Sequence, residues 1–163
     1  MKNPVVYVAA PFAYRDWALS IAEELVAHGC SVNSDWLFSG ATIDTERGNE
    51  RMLAQKDLGQ VTDADVLALC LPPPEWQILQ LLDEVDSAFS RRRSLQEAGS
   101  DILRRSGFTG GCFHEAQHAI SHGVPLVVMG DERNIFLRGL SAHRVDDPQE
   151  LAAWILSDAW RAS

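Results

Sequence analysis

The sequence predicts an α/β fold, a parallel five-stranded sheet with helices on both faces, and three observations carry that prediction. Short, nearly continuous apolar runs recur along the chain, at Val5 to Ala9, Asp65 to Leu71 and Val124 to Met129, as strands buried on both faces require. Between them lie segments whose apolar residues follow helical spacing. Gly29 and Gly123 stand where a helix would give way to the next strand. Apolar strands alternating with amphipathic helices imply parallel pairing through crossover connections.

Taken in order, Val5 to Ala9 is rich in β-branched residues and is closed by Pro11. Arg15 to Gly29 reads as a helix, with Trp17, Ile21 and Leu25 on one stripe and Gly29 as its stop. Cys30 to Asn33 is a short second strand, followed by a loop with Asp35, Trp36 and Gly40. Glu46 to Thr62 is a polar segment with Met52, Leu53, Leu58 and Val61 interspersed, a second helix. Asp65 to Leu71 is the third strand, stopped by Pro72, Pro73 and Pro74. From Cys112 to His122 a helix turns Phe113, Ala116, Ala119 and Ile120 inward; Gly123 ends it and Val124 to Met129 is the fourth strand. His143 to Val145 is a short fifth strand. Asp147 as N-cap, Pro148 at the first helical position and Glu150 at the third open a last helix, docked by Leu151, Trp154 and Ile155. The expected strand order is 2-1-3-4-5, a flavodoxin-like or Rossmann-like sheet.

Residues 1–163 are of a size for one domain, with an insertion at 72–108. Connections in such folds are short, yet about forty residues separate the third strand from the following helix. Ile78, Leu82, Val85 and Phe89 follow one helical stripe and Leu95, Ala98 and Ile102 another, so the insertion reads as a helical hairpin, bearing Arg91, Arg92, Arg93, Arg104 and Arg105. It leaves a strand's carboxyl end, where ligands sit in open α/β sheets. A lid over the site and a subunit contact are both consistent with it.

A formal charge of −9, from 14 basic and 23 acidic side chains, repels a polyanion. No nucleic-acid polymer is expected as a partner, although a small nucleotide remains possible. Cys30, Cys70 and Cys112 are odd in number and lack CxxC spacing, so they read as reduced, buried hydrophobes rather than a disulfide framework. No stretch approaches the ~20 apolar residues of a membrane span; no membrane partner and a cytoplasmic location are the expectation.

Three segments would converge at the carboxyl ends of the strands: AAPFAYRD, SDWLFSG and the loop before Glu115. A cleft walled by Phe12, Tyr14, Trp36 and Phe38 would suit a planar base, with carboxylates acting on an attached sugar. Glu115 follows Gly110 and Gly111 in the first turns of its helix, where N–H groups and the helix dipole favour the ionised form. Periodicity alone favours a Glu115 that serves the helix start electrostatically and an Asp57 that is a surface residue of an amphipathic helix.

Three motifs add a resemblance. VYVAAPF, KDLGQVTDADVLAL and GGCFHEAQHAISHGVPLVV are together similar, in order and spacing, to the nucleoside 2-deoxyribosyltransferase family, including relatives that hydrolyse nucleoside 5′-monophosphates. The likeness covers most of residues 4–130 apart from the hairpin. It implies Glu115 as nucleophile, Asp57 as the carboxylate near the leaving base and Tyr7 as a residue that positions the nucleophile. Substrate contacts are expected from Pro11, Phe12, Asp16, Asp35, Trp36, Thr109, Gly110, Gly111 and His114, with Asp16 and Asp35 toward sugar hydroxyls or the base edge. The implied chemistry is a two-step displacement at C1′ through a glycosyl ester. It requires no cofactor and no metal.

The family's oligomers imply a homodimer or higher homo-oligomer, with residues 134–140 reaching a neighbour's pocket. The turn GFTGGCF and the hairpin depart from the family's pattern. They leave open the base, the sugar, a 5′-phosphate and the choice of transfer or hydrolysis. Thr109, Gly110, Gly111 and a hairpin arginine would suit a phosphate; solubility and ion pairing with an acidic surface are the favoured reading of the arginines.

Two other readings compete. HEAQH, residues 114–118, satisfies the zinc-peptidase pattern H-E-x-x-H, but its helix is short and leads directly into a buried strand. Ser121 and Val124 stand where the extended zinc motif has glycine and histidine. A non-catalytic nucleotide-binding module would use the same cleft.

Overall fold

The computed structural model describes residues 3–39, 50–73, 111–130, 139–140 and 143–162. Its strands are β1 (Val5–Ala9), β2 (Ser31–Val32), β3 (Val66–Cys70), β4 (Leu126–Met129) and β5 (His143–Val145), and its α-helices are α1 (Arg15–Ala27), α2 (Asp35–Phe38), α3 (Glu50–Asp63), α4 (Gly111–Ser121) and α5 (Pro148–Leu156). The strands form one parallel sheet of order β2-β1-β3-β4-β5, as the sequence predicts. The second strand is shorter than the expected Cys30 to Asn33. The hairpin expected within 72–108 lies outside the described residues from position 74 onward.

Period-two alternation divides the core into two layers. Val6, Val8, Ala68, Cys70, Val127 and Met129 face Ile21 and Leu25 of α1 and Leu151 and Ile155 of α5. Tyr7, Ala9, Leu67, Leu69, Leu126 and Val128 face the opposite way, under Val61 of α3 and Cys112, Ala116 and Ala119 of α4. Small residues at 116 and 119 let α4 lie close to the sheet, which brings its neighbouring side chains within reach of β1. Asp65, just before β3, accepts a hydrogen bond from Val5 N at 2.8 Å on Oδ2 and ties the starts of the two central strands.

The helix boundaries follow their local chemistry. Gly29 and Gly123, with φ of +94° and +72°, lie just beyond α1 and α4 as expected. Asp147 accepts from Glu150 N at 2.8 Å, while Glu150 Oε2 accepts from Asp146 N at 3.0 Å, a reciprocal cap that opens α5. Cys30, Cys70 and Cys112 are free and buried, and burial pushes the Cys70 thiol up to about 12. No helix among the described residues is long and apolar enough to cross a membrane.

Gly130 is the most constrained glycine at the end of the central strands. Its φ is +102°, and a Cβ there would stand 2.5 Å from the Leu71 carbonyl oxygen. Gly130→Ala is therefore expected to cost roughly 1–2 kcal/mol through backbone strain and displacement of the β3 exit. Urea denaturation followed by circular dichroism measures it.

Candidate active site

The site begins in the middle of β1. Alternation points Tyr7 into the layer beneath α3 and α4, where it is fully buried. A buried phenol needs a polar partner. Tyr7 OH donates to Glu115 Oε1 at 2.9 Å, joining residues 108 positions apart. Asp57, part-buried on α3, stands on the other side of the same space.

The helices α3 and α4 enclose a cavity of about 530 Å³, within the range of small-molecule sites. Ala54, Asp57 and Leu58 form one wall; Gly111, His114, Glu115, Gln117, His118 and Ser121 form the other. Each helix leads back to the strand that follows it, so their first turns lie at the carboxyl end of the sheet, the expected side for a ligand.

Electrostatics correct one expectation. The helix start was expected to favour ionised Glu115, but burial dominates and raises its carboxyl from 4.5 to about 7. The Tyr7 hydrogen bond pulls it down, and the charge of Asp57 pushes it further up. Glu115 is the fifth residue of α4, beyond the first turn in which helix N–H groups act most strongly. Burial, then the charges of Glu115 and Asp57, hold the Tyr7 phenol far above its ordinary range, so it remains a proton donor.

The four aromatic residues expected to wall the cleft do not line the cavity that holds Asp57 and Glu115. Phe12 and Trp36 do meet, with ring centroids 6.1 Å apart. Tyr14 instead turns into the core at the end of a short 3-10 turn, and Phe38 is 54 % exposed. Trp36 is held by its indole N–H, which donates to Val8 O at 3.1 Å. Arg15, not anticipated from the sequence, donates to the carbonyls of Trp36 and Leu37 at 3.1 and 2.7 Å. Ser34 was likewise missed: it is buried, and its Oγ accepts from Val8 N at 2.6 Å.

The remaining expected contacts divide. Gly111 and His114 line the cavity; Pro11 is buried beside Phe12 in sequence, and Asp16 is exposed in the first turn of α1. Asp35 is paired with Lys56 at 2.7 Å, a link from α2 to α3, which lowers the Asp35 carboxyl. Thr109 and Gly110, and residues 134–138, lie outside the described residues. The second histidine of HEAQH is engaged elsewhere, since His118 Nε2 meets Thr62 Oγ1 at 2.9 Å. Among the described residues no three potential ligands are grouped to hold a metal ion.

The chain shares its fold with a 2-deoxyribosyltransferase. That neighbour, from the psychrotolerant bacterium Bacillus psychrosaccharolyticus, superposes with a TM-score of 0.59 over 95 % of each chain, at 12 % sequence identity. At this identity the likeness is one of fold. No protein-family model and no curated protein matches the sequence. The deoxyribosyltransferase fold thus supplies the frame, a parallel sheet whose carboxyl end is overhung by the first turns of α3 and α4.

Proposed function

We propose that the chain breaks the N-glycosidic bond of a (deoxy)nucleoside or nucleoside 5′-monophosphate, with Glu115 as nucleophile. The hydrogen bond between Tyr7 and Glu115 carries the reading. It holds the carboxyl group of a helix against a central strand, at the edge of a cavity that Asp57 also lines. The fold shared with a 2-deoxyribosyltransferase supports the same chemistry.

In the first step the ionised Glu115 carboxylate forms a bond to C1′ while the bond from C1′ to the base nitrogen breaks, through an oxocarbenium-like transition state. The bonding pair leaves with the base, which takes a proton from solvent as its charge develops; the Asp57 carboxylate is proposed to orient the base nitrogen and the water that supplies that proton. The product is a glycosyl ester on Glu115. In the second step the nitrogen of another base, or water, attacks C1′ and releases the carboxylate. Transfer and hydrolysis differ only in this acceptor, and the reaction needs no cofactor. A homo-oligomer is the assembly we propose.

The nucleophile must be ionised, and its carboxyl sits at about 7. Accordingly kcat/KM should rise about tenfold per pH unit below that value and level off above it. Tyr7→Phe removes a hydrogen bond that lowers this carboxyl, so the acidic limb should move to higher pH. The loss of activity should be larger at pH 6 than at pH 8.5, and a pH profile of both proteins checks this. An unmoved limb would separate Tyr7 from the nucleophile.

The deciding experiment incubates the protein with a panel of deoxynucleosides, ribonucleosides and their 5′-monophosphates, with and without an acceptor base, and follows free or exchanged base by chromatography. A 2′-fluoro nucleoside should leave an ester on the Glu115 peptide in mass spectrometry. Base release that persists in Glu115→Ala would sink the proposal.

A further inference from the structure

We propose that His118, through its hydrogen bond to Thr62, is a positioning residue that sets the gap between Asp57 and Glu115 across the α3–α4 groove. The inference rests on the glycosyl-transfer reading for its effect on rate, but its geometry stands apart from it. His118 follows Glu115 by three residues, one turn further along α4. Its Nε2 lies 2.9 Å from Thr62 Oγ1. The Thr62 hydroxyl donates to Leu58 O at 3.0 Å, so its oxygen is left to accept and the imidazole carries the proton on Nε2. Leu58 is the neighbour of Asp57. The bond chain therefore ties the turn bearing Asp57 to the turn bearing Glu115.

The far side of the imidazole is braced as well. The His118 and His122 rings lie 3.9 Å apart, and His122 Nδ1 is bonded to His118 O at 2.9 Å. Burial and then the neighbouring His122 lower the His118 imidazole, which favours its neutral form. Two carboxylates face each other across the groove, and their repulsion acts to open it. The exposed Thr62–His118 hydrogen bond, one turn away, opposes that opening. The second histidine of HEAQH thus acquires a role that involves no metal.

Thr62→Val is the informative variant, because it keeps the side-chain shape, changes no charge and alters no residue lining the cavity. The groups bearing on Glu115 are Tyr7 from β1, Asp57 from α3 and the cavity histidines His114 and His118. Only their spacing should change. The Glu115 carboxyl is followed by ¹³C NMR titration of the full chain, with its signal identified by its loss in Glu115→Gln. Moving Asp57 away should lower the Glu115 midpoint in Thr62→Val and in His118→Phe, whereas Thr62→Ser should restore the wild-type value.

In turnover, Thr62→Val should lose about tenfold in kcat with KM little changed, as misplacement of a reacting group does. An unmoved midpoint in Thr62→Val, or equal values for Thr62→Ser and Thr62→Val, would overturn the positioning role whatever the activity. A midpoint that moves in a protein that releases no base from any nucleoside or nucleotide would keep the clamp and reject the glycosidic reaction.

Discussion

Glu115→Gln is expected to lower kcat by about 10⁴-fold or more, the scale on which enzymes lose rate when a nucleophile is removed. The substitution keeps the volume of the side chain and an oxygen able to accept from Tyr7 OH, which lies 2.9 Å from Glu115 Oε1. The cavity and its other polar residues remain, so KM should change little. An amide oxygen cannot supply the negative charge that a forming oxocarbenium ion requires. The ester formed with a 2′-fluoro nucleoside should also disappear. Base release measured by chromatography at pH 8, where wild-type Glu115 is largely ionised, gives the comparison its full range. A loss of only a few fold would mean that the carboxylate is not the attacking group.

Much of the fold is legible in the sequence, because strands buried on both faces are apolar in a way that few other elements are. Val66–Cys70 is buried at every position and stands out as a run. The edge strand β2 is less so: it pairs only Ser31 and Val32 with β1, one exposed and one part-buried. Too little burial acts there for composition to mark its ends.

The site is harder to read for a different reason. Tyr7 lies in an apolar run, and no local signal tells that its hydroxyl meets a residue 108 positions away; only the resemblance singled it out. The ionisation of Glu115 is not legible because a helix start is visible in sequence, whereas the burial that outweighs it comes from the packing of α4 onto the sheet. Tyr14 illustrates the same limit, since a 3-10 turn over Phe12–Tyr14 decides which ring faces inward. The groove wall of His114, Glu115, His118 and Ser121 does follow helical spacing. Its significance depended on knowing that α3 lies opposite.

The same Glu115→Gln substitution is expected to make the protein more stable at neutral and alkaline pH. In the folded chain the carboxyl titrates near 7 against an ordinary value of 4.5, because burial penalises its charge. Below about pH 4.5 both folded and unfolded chains hold the proton, and the wild type bears no penalty. As pH rises toward 7 the unfolded chain releases the proton first, so stability falls across that interval and is constant above it. At ~1.4 kcal/mol per unit of displacement, the full penalty is on the order of 3 kcal/mol. Gln must itself be partly desolvated, so a net gain of about 1–3 kcal/mol above pH 7.5 is expected. The gain should shrink toward zero by pH 4.5. Urea unfolding of the two proteins at pH 4.5, 6 and 8 measures the difference. A stabilised, inactive variant is the signature of a charge held in place for chemistry at the expense of the fold; equal stability at every pH would show that Glu115 bears no such strain.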